Sequence, residues 1–307
     1  MKNPPSNTHR QEQLIGSSPA VKDLQRQIEK YARSDAEILI QGETGSGKGL
    51  CAELVHFYSS RRHQPFIEIN CGAIPHGLIA SELFGHKKGA FTGAMYNHAG
   101  FIQRADGGTL FLDEVADMPA ELQVALLRFL DRKKIQSLGA DCEIVIDARV
   151  IAASHIDLPA EVERGNFRED LYYRLNILPL NVPPLRSRQQ DVLDLAEYFL
   201  SQIDDSTPHR LSAKAKSQLL YHHWPGNVRE LKNALLRALV MSDGKTIDQE
   251  HLSLCNGQSF IQSTSTYNKS DIEQLLVRNQ HNISASARQL GISRTTLYKL
   301  LKKYRLC

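Results

Sequence analysis

Short apolar runs alternate with longer amphipathic stretches along the first 186 residues of the chain. Three runs of strand length, at 38–40, 110–112 and 150–153, are apolar throughout. Between them lie segments such as 121–134, where apolar residues recur at helical spacing. Strands that alternate with helices predict a parallel sheet with crossover helices, so we assign residues 14–186 to an α/β core.

Beyond the paired prolines at 183–184 the pattern is helical only, with helices predicted at 191–202, 212–221 and 227–242. We assign residues 187–252 to a small helical lid. Residues 253–268 are polar and rich in Ser, Thr, Asn and Gln, which predicts a linker. Residues 1–13 form a short polar N-terminus, and residues 269–307 carry three apolar faces at helical spacing.

The composition is that of an ordinary globular protein of about two domains, with 307 residues, 41% hydrophobic and 23% charged. No apolar run approaches the roughly 18 residues of a membrane span, and the first residues have no apolar stretch of signal-peptide length, so we expect a cytoplasmic protein with no membrane partner. The five cysteines are scattered and contain no CxxC pair. They indicate reduced thiols and neither a disulfide framework nor a zinc site.

The C-terminal segment 269–307 is basic, with eight Lys or Arg residues against two acidic ones, in a chain whose formal net charge is +3. A basic tail on a mildly acidic body is typical of a nucleic-acid anchor. Gly291 ends the second predicted helix and Ser293 caps the third, which predicts a helix-turn-helix. A helical hairpin for dimerisation is the alternative. The predicted DNA contacts are Ser293, Arg294, Thr295, Thr296, Lys299, Lys302 and Lys303.

A glycine-rich segment, "GETGSGKG", follows the strand at 38–40 and precedes a helical stretch. Backbone N–H groups of such a loop surround phosphates, the lysine reaches the β and γ phosphates, and the helix N-terminus favours negative charge. The residue after the lysine usually offers a hydroxyl to Mg²⁺, and Gly49 has no side chain. The predicted nucleotide-binding residues are Gly42, Glu43, Thr44, Gly45, Ser46, Gly47, Lys48 and Gly49.

Two carboxylates end the strand of "GGTLFLDE", 65 residues after Lys48. Strand ends of an α/β sheet converge on the ligand crevice. Asp113 is therefore predicted to hold Mg²⁺ and its water, and Glu114 to polarise the attacking water. The two motifs together predict ATP or GTP binding.

Three arginines are candidate contacts for the γ phosphate. Arg168 and Arg174 lie in "NFREDLYYRLN", where the adjacent acidic residues could instead hold them in surface ion pairs. Arg229 lies in "HWPGNVRELKNAL", where we expect Asn227 to cap a helix and Glu230 to close a capping box. That arrangement puts Arg229 in the first turn of a lid helix, within reach of the nucleotide.

The segment "HKKGAFTGAMYN", residues 86–97, puts Phe91 and Thr92 between Gly89 and Gly93. Phenylalanine is normally a core residue, and glycines on both sides weaken a helix or a strand. The pattern predicts a segment that moves an aromatic side chain, and an aromatic tucked into a turn is the alternative.

Six segments together resemble the central AAA+ domain of the sigma-54-dependent transcriptional activators, the bacterial enhancer-binding proteins. They are "GETGSGKG", "ELFGHKKGAFTGA", "GGTLFLDE", "FREDLYYRLN", "PPLRSRQQDV" and "WPGNVREL". The resemblance covers about residues 14–250, GAFTGA is highly specific to the family, and the tail is similar to the Fis-type module of the same activators. It implies an AAA+ P-loop NTPase fold with a helical lid and a helix-turn-helix domain.

In function, the resemblance implies an ATPase that uses ATP and Mg²⁺, binds enhancer DNA and remodels the closed complex of sigma-54 RNA polymerase. It implies a ring, usually a hexamer, with nucleotide at the subunit boundaries and paired DNA-binding domains. Arg168 and Arg174 would be arginine fingers in trans, Arg229 the second sensor, and Asn70 in "IEINCGAI" the residue that holds Glu114 inactive until the γ phosphate is sensed. The implied sigma-54 contacts are Gly89, Ala90, Phe91, Thr92, Gly93 and Ala94.

Two positions depart from the family pattern. Gly49 stands where the family usually has glutamate, and Ser154-His155 stands where Thr-Asn is common. We therefore expect ATP binding with slow turnover. A DNA-binding regulator of the same fold with weak or absent ATPase is the alternative. A different AAA+ protein with a helix-turn-helix, such as a replication initiator, would have no reason to carry GAFTGA.

Many family members begin with a receiver or ligand-sensing domain, whereas about thirteen polar residues precede the core in this chain. We expect regulation by a partner protein in trans or by expression level, unless the chain is truncated.

Overall fold

The computed structural model describes residues 13–203, 210–242, 246–252 and 254, together with the isolated positions 279 and 286. The strands are β1 (Ile38–Gln41), β2 (Phe66–Asn70), β3 (Thr109–Asp113), β4 (Lys134–Ile135), β5 (Ile144–Val145), β6 (Arg149–Ser154), β7 (Leu178–Asn181), β8 (Arg210–Leu211) and β9 (Thr246–Ile247). Five of them form a parallel sheet in the order β2-β3-β6-β1-β7. The pair β4-β5 is an antiparallel hairpin.

Helices cover the sheet and build the lid. They are α1 (Pro19–Ala32), α2 (Lys48–Phe57), α3 (His76–Phe84), α4 (Phe101–Arg104), α5 (Ala120–Arg132), α6 (Leu158–Glu163), α7 (Glu169–Leu175), α8 (Gln190–Ile203), α9 (Ala213–Tyr221) and α10 (Asn227–Met241). Short 3-10 turns lie at Val115–Asp117, Leu185–Ser187 and Gln249–His251.

The sheet is buried on both faces, which is why its strands read as continuous apolar runs. All six residues of β6 are buried, and the apolar residues of the core divide into two clusters around the sheet. On α1, Ser18 caps the first turn by accepting a hydrogen bond from the Val21 N–H. Val21, Leu24 and Ile28 recur at helical spacing and are buried against the core.

The carboxyl edge of the sheet collects the ends of β1, β3 and β6 next to one another, because β6 lies between the other two. The Gly42 N–H, directly after β1, donates a hydrogen bond to the Ser154 carbonyl oxygen at 3.3 Å. The glycine-rich segment and the two carboxylates identified in the sequence therefore meet at this edge.

The lid has its own apolar core, in which Trp224 is fully buried. Its three predicted helices correspond to α8, α9 and α10. The prediction of a purely helical lid was incomplete, because β8 and β9 form a two-residue parallel pair. Leu14 packs in the α/β core and Ile15 against the lid core, so the segment before α1 connects the two.

Within the described residues, no helix has the length and apolar character needed to cross a membrane. The predicted helix-turn-helix lies outside the described residues, apart from the isolated positions 279 and 286.

Candidate functional site

The phosphate loop, residues 42–49, leads from β1 into α2 at the carboxyl edge of the sheet. Gly45 and Gly47 have φ values of 75° and 108°, in the left-handed region that glycine adopts without steric cost. A Cβ atom on Gly45 would lie 2.5 Å from the carbonyl oxygen of Gly226 in the lid. Glycine therefore permits both the turn of the loop and the close approach of the lid.

Lys48 is the first residue of α2 and is buried. Its Nζ donates hydrogen bonds to the carbonyl oxygens of Gly42 and Glu43, at 2.8 and 3.2 Å. Burial lowers the pKa of Lys48, while the negative charges of Asp113 and Glu114 oppose that shift. The amine thus lies within electrostatic range of both predicted catalytic carboxylates.

The N-terminus of α2 is open to an anion. Gly47 occupies the cap position and, as glycine, has no side chain with which to cap the helix. The Ser46 hydroxyl is buried and has no hydrogen-bond partner in the part of the chain that the structure describes. Free N–H groups at a helix N-terminus and an orphaned hydroxyl are donors that a phosphate group would satisfy. The loop therefore fits the polyphosphate of a nucleotide.

Asp113 and Glu114 stand where β3 ends. Asp113 Oδ1 accepts the N–H of Glu114 at 3.0 Å, and the carboxylate is the type of ligand that a hard cation such as Mg²⁺ prefers. Glu114 has φ 54° and ψ 46°, a left-handed conformation that is uncommon outside glycine and is concentrated at functional sites. The backbone thus holds the predicted water-polarising carboxylate in an unusual orientation.

Asn70 ends β2 and is in register with Asp113 on β3. A Cβ atom on the nearby Gly72 would lie 2.8 Å from Glu114 Oε2 and 3.5 Å from Asn70 Oδ1. Asn70 Oδ1 accepts the Ala73 N–H at 2.9 Å, which leaves the amide N–H₂ as the group able to donate to Glu114. The structure therefore brings Asn70 and Glu114 to the same glycine.

Both candidate finger arginines belong to the α7 region. Arg168 directly precedes α7, is exposed and pairs with Asp170 through Nε at 3.0 Å and Nη2 at 2.7 Å. Arg174 Nη2 donates to the Leu130 carbonyl oxygen at 3.0 Å. Within the described residues, neither guanidinium contacts the phosphate loop of its own chain, so the structure does not bring these two arginines to the nucleotide site of the same subunit.

The third candidate, Arg229, lies against the phosphate loop. The backbone N–H groups of Val228 and Arg229 both donate to the Gly45 carbonyl oxygen, at 3.0 and 3.3 Å. The first turn of α10 is thereby fixed to the loop, and Arg229 also adds positive charge near Lys48. This location is the one expected from the sequence.

The predicted capping box at the start of α10 is wrong. Gly226 is the cap residue and has no side-chain cap hydrogen bond, while Glu230 Oε2 accepts the Gly226 N–H at 2.7 Å. Asn227 is fully buried, has a left-handed φ of 51°, and accepts the Leu185 N–H on Oδ1 at 2.8 Å. Its amide serves tertiary contacts, so it is not available to cap the helix.

A polar latch joins the lid to the phosphate loop, and we define it as Glu43, Arg186 and Asn227. Asn227 Nδ2 donates to Glu43 Oε2 and to the Thr44 carbonyl oxygen, both at 3.1 Å. Arg186 Nη1 donates to Glu43 Oε2 at 2.6 Å, and this hydrogen bond lowers the pKa of the Glu43 carboxyl. Sequence reasoning missed Arg186, although its position in "PPLRSR" between core and lid was a usable signal.

Gly49 is the second residue of α2, and a Cβ atom there would lie more than 4 Å from every described atom outside its chain neighbours and the backbone of its own helix. The Ser154 hydroxyl donates to the Ile156 carbonyl oxygen at 2.8 Å and accepts the Ile156 N–H at 3.0 Å. His155, the next residue, is exposed. A larger side chain therefore has room at position 49, whereas the hydroxyl at position 154 is engaged locally.

The GAFTGA segment is a compact turn between α3 and α4. His86 and His98 exchange backbone hydrogen bonds at its base, at 3.0 and 2.9 Å. Gly89 and Gly93 have φ values of 84° and 104°, and apart from their chain neighbours no described atom lies within 4 Å of a Cβ placed on either. Phe91 is 40% exposed and lies edge-on to the His86 ring, with 4.9 Å between ring centroids.

Four of the six predicted sigma-54 contacts are well exposed, Gly89 and Thr92 among them, whereas Ala90 is half-buried and Ala94 is buried. Ala90 lies opposite Gly139, where a Cβ atom would come within 2.9 Å of the Ala90 Cβ. Sequence reasoning missed two apolar side chains beside the motif. Met95 and Tyr96 are 66% and 77% exposed, and consecutive large apolar residues in a glycine-rich loop were the available signal.

The predicted DNA contacts lie outside the described residues. They are Ser293, Arg294, Thr295, Thr296, Lys299, Lys302 and Lys303.

Three family models match successive parts of the chain. They are the Sigma-54 interaction domain at residues 14–181, the AAA+ ATPase lid domain at 186–266 and the Bacterial regulatory protein, Fis family, at 269–304.

Similar proteins include the response regulator protein PilR of Pseudomonas aeruginosa, 43% identical over 94% of this chain and 69% of PilR. The transcriptional regulatory protein GlrR of Escherichia coli is 41% identical over 99% of this chain and 70% of GlrR. Among solved structures, NtrX from Brucella abortus in complex with ATP has 30% identity and a TM-score of 0.75, covering 95% of this chain and 69% of NtrX.

Proposed function

This chain belongs to the sigma-54-dependent transcriptional activators, and we propose that it couples ATP hydrolysis to remodelling of sigma-54 RNA polymerase through residues 89–94. Membership confirms the resemblance found in the sequence. The fold is that of an AAA+ P-loop NTPase with a helical lid and a C-terminal helix-turn-helix module, and the protein is a nucleotide-binding ATPase whose partners are sigma-54 and DNA.

The observation that carries the proposal is the position of Gly72. Glu114 and Asn70 lie against it, and the chain runs from this glycine through α3 directly into the GAFTGA turn. A movement of the Glu114 carboxylate on binding or hydrolysis of ATP would press on the segment that leads to Phe91 and Thr92. We therefore propose that the nucleotide site acts mechanically on the GAFTGA turn through the chain between Gly72 and Gly89.

In the proposed reaction, Lys48 and the backbone of residues 42–49 bind the β and γ phosphates, and Glu114 polarises the attacking water. Asp113 would hold Mg²⁺, which when bound neutralises phosphate charge. Asn70 restrains Glu114 until the γ phosphate is present. Arg229 approaches the nucleotide from the lid of the same chain, which its contact with the phosphate loop supports.

We further propose a ring, most simply a hexamer, in which Arg168 and Arg174 act on the nucleotide of the neighbouring subunit. Both arginines make their contacts away from the phosphate loop of their own chain. Tyr173 and Ile177, beside them, are exposed and would be covered by a neighbour. Paired DNA-binding domains, enhancer contacts through residues 293–303, control by a protein in trans and a cytoplasmic location stay predictions.

Transcription from a sigma-54 promoter in a purified system tests the proposed function. Parent protein should activate in the presence of ATP. Thr92→Ala should hydrolyse ATP normally but not activate, Thr92→Ser should retain much of the activity, and Lys48→Ala should lose both activities. Full activation by Thr92→Ala would contradict the role of the loop.

A further inference from the structure

The amino-terminal end of β1 holds a charge cluster built around one buried carboxylate, Glu37, whose role the proposed chemistry does not explain. The Glu37 side chain, only 7% exposed, directly precedes β1, and its backbone carbonyl oxygen accepts the Leu178 N–H at 3.2 Å. Glu37 Oε1 lies 3.4 Å from Lys133 Nζ, and Glu37 Oε2 lies 3.6 Å from Arg174 Nη1. A carboxylate in this position is fixed by the sheet and attracts two cations.

The three nitrogens of Arg174 are held in different ways. Nη2 makes a hydrogen bond of normal length to the Leu130 carbonyl oxygen, at 3.0 Å. Nε lies 3.3 Å from Asp131 Oδ1, and both this contact and the one to Glu37 are longer than a normal N–H···O hydrogen bond. Nε is also buried, and no described residue lies within hydrogen-bonding distance and angle of it. Charge and one hydrogen bond therefore orient the guanidinium, and some of its donors stay open.

Glu37 attracts Arg174 from a less screened position than Asp131 does, although Asp131 is slightly closer to the guanidinium. Asp131 is 56% exposed, so water and salt weaken its attraction, whereas Glu37 acts from the interior, where the effective dielectric constant is lower. Arg168 offers a contrast, because its acidic partner, Asp170, is exposed and only two residues away. One of the two arginines thus has a buried acidic partner, whereas the acidic partner of the other lies at the surface.

We propose that Glu37 is a positioning residue that aims Arg174 at the nucleotide of the neighbouring subunit. The inference rests on the proposed function, in which Arg174 acts in trans. β1 then serves two sites, since its carboxyl end enters the phosphate loop of its own subunit while Glu37 at its other end fixes the arginine offered to the next. A shift of β1 on ATP binding would move the arginine that faces the neighbour.

Full-length Glu37→Gln tests the proposal, because it keeps the size of the side chain and removes the charge. We expect the kcat for ATP hydrolysis to fall about tenfold, with affinity for a fluorescent ATP analogue unchanged within about twofold. Lys133→Met is the matched control, since it removes the other cation near Glu37 and leaves Arg174 in place, and its kcat should stay within about twofold of the parent. Glu37→Asp, which keeps the charge, should recover most of the rate and serves if Glu37→Gln folds poorly.

Mixed rings separate positioning from a general structural defect. A Lys48→Ala subunit cannot bind ATP but carries an intact arginine, so mixing it with Glu37→Gln should raise the ATP turnover per Glu37→Gln subunit severalfold. The positioning role would be overturned if mixing left the turnover per Glu37→Gln subunit unchanged, or if Glu37→Gln alone had a normal kcat. The same mixing with Arg174→Ala tests the trans arginine itself. Failure of Arg174→Ala to be rescued would refute that part of the proposed function, whereas rescue of Arg174→Ala with dilution of Glu37→Gln would refute the positioning role alone.

Discussion

Replacing Asn227 with glycine removes the central amide of the polar latch without disturbing the backbone. Asn227 has a φ of 51°, and glycine adopts left-handed φ values without steric cost. Asn227→Ala makes the same deletion but adds roughly 1 kcal/mol of backbone strain, because an L-residue other than asparagine or glycine is disfavoured there. The difference between the two variants therefore reports the net backbone contribution, which is the strain of alanine less the extra unfolded-state entropy of glycine.

The contacts set the size of the effect. The deletion leaves the buried Leu185 N–H without its acceptor, which costs about 1–3 kcal/mol. The Thr44 carbonyl oxygen loses a hydrogen bond worth about 1 kcal/mol. Glu43 loses less stabilisation, because its carboxylate keeps the hydrogen bond from Arg186. We therefore expect the free energy of lid unfolding to fall by roughly 2–4 kcal/mol in Asn227→Gly and by roughly 1 kcal/mol more in Asn227→Ala.

Tryptophan fluorescence can follow this unfolding, because Trp224 is the only tryptophan of the chain and is fully buried in the lid core. Its Nε1 donates a hydrogen bond to the Leu219 carbonyl oxygen at 2.9 Å. Its fluorescence during urea unfolding reports the lid. With a slope of about 2 kcal/mol per M, the midpoint should drop by roughly 1–2 M, and affinity for ATP should weaken because α10 is no longer tied to the loop. A midpoint within about 0.3 M of the parent, or equal midpoints for the glycine and alanine variants, would refute the reasoning.

Three further predictions concern single sites. Gly49→Ala should stabilise the protein by about 0.5–1 kcal/mol in urea unfolding, since its Cβ meets open space in a helix. Gly49→Glu should raise steady-state ATP turnover. A destabilised alanine variant, or a glutamate variant with unchanged turnover, would argue against these expectations. Arg168→Ala should leave the unfolding midpoint unchanged and lower kcat about a hundredfold or more, whereas a normal kcat would remove Arg168 from the site. In iodoacetamide labelling at pH 8 mapped by mass spectrometry, the exposed Cys142 should react while Cys51 and Cys71 stay protonated, because burial raises the pKa of each to about 12. Equal labelling of all three in native protein would contradict the burial, and labelling in urea is the positive control.

Motifs and spacing were enough to predict the nucleotide edge of the fold. The apolar runs became β1, β3 and β6, and parallel strands bring Lys48, Asp113 and Glu114 together whatever the details of the loops. The lid helices could also be predicted, because each has one apolar face that repeats at helical spacing. The strand pair β8-β9 could not be predicted, because a strand of two residues is too short to show the alternation of apolar and polar residues.

Contacts between segments that are distant in the chain could not be predicted from the sequence. Asn227 looked like a helix cap from its neighbours, but its amide bonds to Glu43 and Thr44, 184 and 183 residues away. Glu37 and Arg174 meet only because β1 and α7 pack in one domain. Local patterns report local structure, whereas such pairs depend on the tertiary fold.

Retention of sigma-54 by the parent protein in the presence of ADP and aluminium fluoride, measured by analytical ultracentrifugation, tests the central claim most directly. The account predicts a stable complex with this transition-state mimic, none with ADP alone, and none for Thr92→Ala or Lys48→Ala under the same conditions. A complex that forms equally with and without the mimic, or that survives the loss of Thr92, would contradict the coupling between the nucleotide site and the GAFTGA turn.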